Sequence, residues 1–533
     1  GALHVSVVVP GSVDFLKTLL GVDGFYSVSD PGKLAPPRKY EVIFVLSLFS
    51  HLPESTWSTW LARLYDTLED KGILIITTHG EKCARLMGVS FPPNGFLFIP
   101  SSESKALPGE EDGSTFTSTD YVRQAISHQP RFRQALWPLC SYVGRDVGPE
   151  RLKTRIHPGD QMLLHSLKHF HEINKPLSQY FNVALQQHHA AQQILRHFFP
   201  APPETLKVLD FACGYGRLLR FLSLSIPPEN IWAAEIQEEA VNFVVNEYGV
   251  NGLLSETDPA GFNPAQRFDF IWVASLFSHL PEPLFRAWVG KLHSLLSPNG
   301  VLCFSVHDEC LLPTGSPLPP SGIHFVPHSE NADLDTCTYG TTYVGESFVS
   351  RAIGESVQQP DHPYFRIPRG LANEQDLYVV PANATTDLSG LSGFRHGPWG
   401  WVDGIEVSDA GSLEMHGWIA SLDDGPLETV SISVDGQVTR VPTGEARPDV
   451  ARVLGDERLH GSGWRFKGAL APGRDSVFVQ VSGSTARDEK TLLYAGFVAV
   501  PERQPSVPVD VLAAEGKGLL GFVLRLLSRQ HRH

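Results

Sequence analysis

Sulfur and positive charge are what this sequence has least of. Its 533 residues include six cysteines and three methionines, and 43 Lys and Arg stand against 58 Asp and Glu, for a formal net charge of −15. Cys83, Cys140, Cys213, Cys303, Cys310 and Cys337 are scattered without C-x-x-C spacing. That pattern argues against a disulfide scaffold or a zinc site and fits a reduced, cytoplasmic chain. The deficit of basic residues argues against a general nucleic-acid binder, because phosphate contacts require concentrated Lys and Arg. No stretch of about 18 apolar residues occurs, so no segment is expected to span a membrane. No basic stretch leading into an apolar one opens the chain as a secretory signal would. The first residues, Val5 to Val9, read instead as an apolar strand, as if the chain opened inside a domain. With 42% apolar and 19% charged residues the composition is that of a globular protein. Its length predicts three or four domains.

Against this background one short stretch carries a chemical signature. Lys207 to Phe211 is a β-branched and apolar run that reads as a strand, and Leu218 to Leu224 reads as the start of a helix. Between them Gly214 and Gly216 permit a tight turn and let backbone N–H groups approach a ligand. Strand, glycine turn and helix together form the ligand-binding corner of a doubly wound α/β sheet. Leu219 stands where the third glycine of G-x-G-x-x-G would fall, so this is not the dinucleotide fingerprint.

The chain also repeats itself. Gly21 to Glu54 aligns without gaps on Gly249 to Glu282, with 17 of the 34 positions identical, and Ser47-Leu48-Phe49-Ser50-His51-Leu52-Pro53-Glu54 recurs whole as Ser275 to Glu282. The match continues through Trp60 and Trp288, Gly72 and Gly300, and His79 and His307, an offset of 228 that becomes 227 further on. Two copies of one domain are expected. The second has a full set of elements: strands ending at Asp210 and over Ile231 to Ile236, a third leading into Ser255-Glu256, a fourth over Phe268 to Ala274, a helix near Pro283 to Leu296, a turn at Ser297 to Gly300, and a fifth strand over Val301 to Val306. Strands alternating with helices predict a parallel α/β sheet. The first copy lacks the glycine-turn strand, and Val7 stands where the second has Glu235. Truncation would explain the missing strand but not Val7.

Asp210-Phe211-Ala212-Cys213-Gly214-Tyr215-Gly216-Arg217, Phe268 to Trp272 with Ser275 to Leu280, and the strand before His307 resemble the class I S-adenosylmethionine (SAM)-dependent methyltransferases. The similarity is greatest to bacterial enzymes of polysaccharide gene clusters and covers Leu206 to Val380. It implies that Asp210, Gly214 and Gly216 hold the amino-acid part of SAM. Glu235 would accept from the ribose hydroxyls, Ser255 and Glu256 would lie by the adenine, and Ala212, Ile236 and Ala274 would lie beside them. Arg217 reads as a partner of the SAM carboxylate or as part of a salt bridge on the sheet edge. Methyl transfer to a hydroxyl, the expected reaction on a sugar or glycan intermediate, benefits from a base. His307, with Asp308 beside it to hold the imidazole or act itself, is one candidate; His279 is another. His51 and His79 occupy the same places in the copy without a cofactor corner, which favours a bracing role for His279.

The implied fold class is therefore α/β, with two Rossmann-like methyltransferase domains followed by a small all-β sandwich. Residues 1–148 form the incomplete and inactive copy, and 149–380 the complete one with a helical lead-in. A linker over 381–398, a β-sandwich over 399–500 and a tail over 501–533 follow. In the lead-in, His165, His169, His171, His188, His189 and His197 read as solvated helix faces rather than metal ligands. Tyr180 and Phe181 read as core ahead of a cofactor lid. The sandwich resembles an accessory module of bacterial glycan-building enzymes; of Trp399, Trp401, Trp418 and Trp464, most are expected in its core. In the tail, Leu519, Leu520, Val523, Leu526 and Leu527 share one helical face among Lys517, Arg525, Arg529 and Arg532. That fits either an interfacial helix on an anionic membrane or a helix packed on the protein itself. A non-enzymatic scaffold of a glycan synthesis complex is the alternative function, and no pattern fixes an oligomeric state.

Overall fold

The computed structural model describes residues 3–500 except 8–10, 93–94, 101–111, 120, 123–124, 126–132, 141–147, 158, 170–173, 201–204, 313–315, 329–334, 409–410 and 472–475. The tail helix expected over 517–533 lies outside the described residues. The described strands of the N-terminal repeat form three pairs, alongside the helices Ser12–Leu20, Glu54–Asp66 and Glu81–Leu86. β1 (His4–Val7) and β2 (Asp23–Tyr26) are parallel, as are β3 (Tyr40–Val45) and β4 (Leu68–Ile76), whereas β5 (Phe96–Ile99) and β6 (Ser114–Thr117) are antiparallel. Among the described residues no strand joins β1 to β3.

In the second repeat one sheet of nine strands takes their place. β7 (Val208–Phe211), β8 (Ile231–Glu235), β9 (Asn251–Leu254), β10 (Phe268–Val273) and β11 (Leu296–Asp308) are parallel in the order β9-β8-β7-β10-β11. β12 (Ile323–Val326) and β13 (Thr341–Val344) pair with each other, and β13 joins the end of β11 through His307↔Tyr343. β14 (Phe365–Leu371) and β15 (Gln375–Pro381) close the other side, with β15 antiparallel to β11. β7 to β9 run one way across the sheet and β10 restarts on the opposite side of β7, so the strand order reverses between β7 and β10. That reversal opens the crevice in which α/β sheets bind ligands.

The apolar strands are buried on both faces, which is why β10 reads as a continuous hydrophobic run. Phe270, Trp272, Val301 and Cys303 pack on the side of the helix Asn174–Phe198, while Ile271, Val273, Leu302 and Phe304 pack on that of the helices Glu282–Ser294 and Glu346–Ser356. The turn expected at Ser297 to Gly300 is an irregular opening of β11, with the register shifting between Phe268 and Phe270. A Cβ on Gly300 would come within 2.7 Å of the Phe268 carbonyl.

The C-terminal strands are β16 (Pro398–Val407), β17 (Ser412–Ser421), β18 (Gly425–Pro426), β19 (Thr429–Val434), β20 (Gln437–Pro442), β21 (Gly463–Ala469), β22 (Ser476–Ser484) and β23 (Lys490–Ala499). They form two antiparallel four-stranded sheets whose inner faces share one core that includes Trp464, Met415, Ile432 and Val479. Trp464 is fully buried, and Trp399, Trp401 and Trp418 are half-buried. The helix Asn174–Phe198 lies against this unit as well as against the nine-stranded sheet. Asn182 accepts hydrogen bonds from Thr491 Oγ1 (2.9 Å) and the Leu492 N–H (3.1 Å), and the Ala495 N–H donates to Ser178 Oγ (2.9 Å). Eighteen of its 25 residues are buried, His188 and His189 among them, in place of the solvated face that its Gln- and His-rich sequence suggests. His188 reaches Ser225 Oγ at 2.9 Å, and burial pushes its pKa down to about 3. Residues 381–398 likewise form a packed strap: Leu391 is buried, and Arg395 pairs with Glu489 and Asp424.

Candidate functional site

Each site residue sits where a strand of the second repeat ends. β7 delivers Asp210, and the chain then enters left-handed backbone at Ala212 (φ 56°), Gly214 (φ 53°) and Gly216 (φ 78°). The two glycines serve different ends. At Gly214 a Cβ would meet no atom within 4 Å, so its side faces open space; at Gly216 a Cβ would stand 2.5 Å from the Tyr248 ring. Gly216 therefore lets the turn pack, and Gly214 keeps the ligand side bare. At the end of β8, Glu235 spans the corner: one carboxylate oxygen accepts from the Gly214 N–H (2.9 Å) and the other from the Ile236 N–H (2.7 Å). Each oxygen retains a second lone pair for a ligand hydroxyl.

Asp210 is 3% exposed, and its Oδ2 has no hydrogen-bond partner among the described residues. Burial, and then the charge of Glu235, pushes its pKa up to about 8, against the pull of Arg217. Burial raises Glu235 too, opposed by the backbone N–H groups that it accepts from. A buried carboxyl with one orphaned oxygen beside a second, half-buried one is an electrostatic deficit that a cationic or N–H-donating ligand would relieve. This corner therefore fits the amino-acid and ribose parts of SAM. Around it, Ser255 is buried with its N–H on the Glu235 carbonyl (2.9 Å), while Glu256 and Ile236 are exposed. Arg217 is half-buried with its guanidinium 5.9 Å from the Tyr180 ring centre. Ala274 follows β10, across the crevice from Asp210, which pairs with Trp272 in register.

The three candidate bases lie together at the ends of β10 and β11, each with at least one polar atom engaged by a neighbour. His279 donates from Nδ1 to the Gly340 carbonyl (2.7 Å) and stacks on Tyr339 at 4.6 Å. His307 has its Nε2 3.3 Å from Gln375 Nε2, and burial lowers its pKa to about 4. Asp308 does not hold the imidazole: one oxygen caps the Cys310 N–H (3.0 Å) and the other accepts from Arg366 (2.9 Å), which also binds Glu346 and Asp376 (both 2.7 Å). Tyr180 and Phe181 are core residues, 3% and 1% exposed, and the Tyr180 hydroxyl donates to Asp160 (2.6 Å). Over the glycine turn lies a residue that no sequence signal marks, His157, stacked on Tyr215 at 4.4 Å. Among the described residues no group of three or more His, Cys, Asp or Glu is placed to hold a metal ion. None of the described helices is long and apolar enough to cross a membrane.

Residues 183–335 match the family described as a methyltransferase domain, a span that contains the whole corner. No curated protein matches the chain. Solved structures similar to it include the SAM-bound amino pentose methyltransferase CalS10 of Micromonospora echinaspora (14% identity, 37% of this chain and 91% of that one, TM-score 0.27). Two others are the N-methyltransferase NodS of Bradyrhizobium japonicum (14%, 41% and 98%, 0.26) and the sugar N-methyltransferase KedS8 of a Streptoalloteichus species (13%, 37% and 86%, 0.28). Likeness at that level carries no argument about this chain. The match over 183–335 does, and it supports a SAM-dependent methyltransferase activity in that part of the chain.

Proposed function

We propose that the second repeat binds SAM in the corner formed by Asp210, Gly214, Gly216 and Glu235 and transfers its methyl group to a small molecule, with a sugar or glycan intermediate as the acceptor. The acceptor atom bonds to the methyl carbon as the S–CH3 bond breaks, its proton leaves, and S-adenosylhomocysteine remains. Glu235 would hold the ribose hydroxyls, and Asp210 the positively charged amino-acid end. The chemistry asks little beyond in-line placement, so much of the rate comes from orientation. The observation that carries this reading is buried Asp210, with its Oδ2 lacking a partner among the described residues, together with Glu235, which accepts from the Gly214 N–H at the end of the neighbouring strand. The N-terminal repeat, with Val7 in place of Glu235, is read as a copy without cofactor.

Calorimetric titration with S-adenosylhomocysteine tests the reading. One site per chain is expected, weakened about 100-fold or more by Glu235→Ala through the loss of charge-assisted hydrogen bonds and unchanged by Val7→Ala. A second reading, a scaffold that binds other proteins of a glycan synthesis complex, is favoured by one observation. Val42, Phe44, Ile73 and Ile75 of the N-terminal repeat are 41–62% exposed on one strand face. Absence of S-adenosylhomocysteine binding by protein with Glu235 intact would favour it over the first.

A further inference from the structure

Gln375 is the first residue of β15, which runs antiparallel to β11, and its carboxamide lies across the strand ends beside the crevice. A chain of hydrogen bonds fixes which way it faces. The Ser275 N–H donates to Ser305 Oγ (2.8 Å), and the Ser305 hydroxyl donates to Gln375 Oε1 (2.7 Å), which Ser275 Oγ also approaches (3.3 Å). With Oε1 held there, the amide N–H2 faces the other way and has two protons to place. One reaches Ser275 Oγ (3.1 Å) and the other points at His307 Nε2 (3.3 Å). An amide N–H requires a lone pair in front of it. His307 Nε2 is then unprotonated, and the ring proton sits on Nδ1, which is buried without a hydrogen-bond partner among the described residues.

We infer that Gln375 is a positioning residue that locks His307 in the neutral Nδ1–H tautomer with its Nε2 lone pair occupied, so that this imidazole shapes the acceptor side of the site instead of acting as its base. The mechanistic consequence rests on the methyltransferase reading; the lock itself does not. The other groups facing His307 agree with a neutral ring. The His279 ring on the β10 loop lies 6.1 Å away, Tyr343 of β13 lies 5.6 Å away, and the adjacent carboxylates Asp308 and Asp376 are turned to Arg366. Protonating Nε2 would set two N–H donors against each other and force the amide to flip, which breaks the bond from Ser305. The same turn occurs in the N-terminal repeat, where the Ser47 N–H donates to Thr77 Oγ1 (2.8 Å) beside His79. Thr77 stands where the second repeat has Ser305, so a threonine hydroxyl can fill this place.

Nitrogen-15 NMR of the imidazoles in the full chain, with His307 assigned through His307→Gln, tests the lock without any substrate. Wild type is expected to show the Nδ1–H tautomer at neutral pH and to titrate near pH 4. Gln375→Glu replaces the donor with an anion and is expected to move the midpoint to about 7 or higher. Ser305→Ala removes the donor that orients the amide and is expected to raise the midpoint as well, whereas Ser305→Thr keeps the wild-type tautomer and midpoint. S-adenosylhomocysteine binding, measured on the same samples, reports the cofactor corner separately; its absence would count against the function and leave the lock standing. A wild-type His307 in the Nε2–H tautomer, a midpoint between 6 and 7, or a Ser305→Ala spectrum identical to wild type would overturn the inference.

Discussion

Phe44 and Trp272 occupy the same position in the two repeats, yet Phe44 is 62% exposed and Trp272 is wholly buried. The same contrast holds for Val42 and Phe270, Ile73 and Val301, and Ile75 and Cys303. The strands themselves correspond: β3 and β10, and the helices Glu54–Asp66 and Glu282–Ser294, have bounds that differ by the offset of 228. What differs is what stands beside and over them. In the second repeat β7 fills the gap between β8 and β10, and the helix Asn174–Phe198 covers the face on which Phe270 and Trp272 lie. The strand that completes the sheet also carries Asp210 and leads into the glycine turn. In the second repeat one segment, β7 with the turn that follows it, thus both fills the sheet and carries Asp210 and the glycines.

The largest effect expected from this difference is on stability. Trp272→Ala removes a fully buried ring and is expected to cost about 3–5 kcal/mol, whereas Phe44→Ala at an exposed position should stay within about 0.5 kcal/mol. Urea unfolding followed by fluorescence distinguishes the two; equal costs would mean that Phe44 is covered in solution. The glycines come next. Gly216→Ala combines left-handed backbone with a contact to Tyr248 that must give way, and a loss of about 2 kcal/mol or more is expected. Gly214→Ala meets only the backbone penalty of about 1 kcal/mol, but puts a methyl group where the ligand belongs, so its larger effect should appear in S-adenosylhomocysteine affinity.

A smaller and more gradual effect comes from pH. Burial and then Glu235 raise Asp210 to about 8, so between the unfolded value of about 4 and pH 8 this carboxyl holds in the folded chain a proton that it has lost in the unfolded one. The Asp210 contribution to stability is therefore expected to fall as pH rises through that window, by at most about 1.4 kcal/mol per pH unit. It is read as the difference between wild type and Asp210→Asn, because His188 and His307, whose pKa values burial holds low, act in the opposite sense below about pH 6.5. Unfolding midpoints at pH 5, 6, 7 and 8 provide the measurement.

How far these features were legible in the sequence follows from how local they are. The strand, left-handed turn and helix around Asp210 to Arg217 could be read because they are contiguous, and the self-similarity because aligned residues reveal themselves without a structure. Glu235 was found as the end of a strand, but its hold on the Gly214 N–H crosses between two strands and leaves no local pattern. Gln375 approaches His307 from a strand 68 residues further along, antiparallel to β11, and a single glutamine there carries no signal. His188 and His189 looked solvated because their helix is polar along much of its length; it is buried because residues some 300 positions later close over it. Asp308 looked like a partner of its neighbour His307. Consecutive residues of a strand point to opposite faces, and Asp308 meets Arg366 instead.

The account turns on one site in one repeat, and calorimetric titration of the full chain with S-adenosylhomocysteine tests it most directly. One equivalent bound per chain, lost on Glu235→Ala and retained on Val7→Ala, is the predicted result. No binding by the unaltered chain, or binding indifferent to Glu235→Ala, would contradict it.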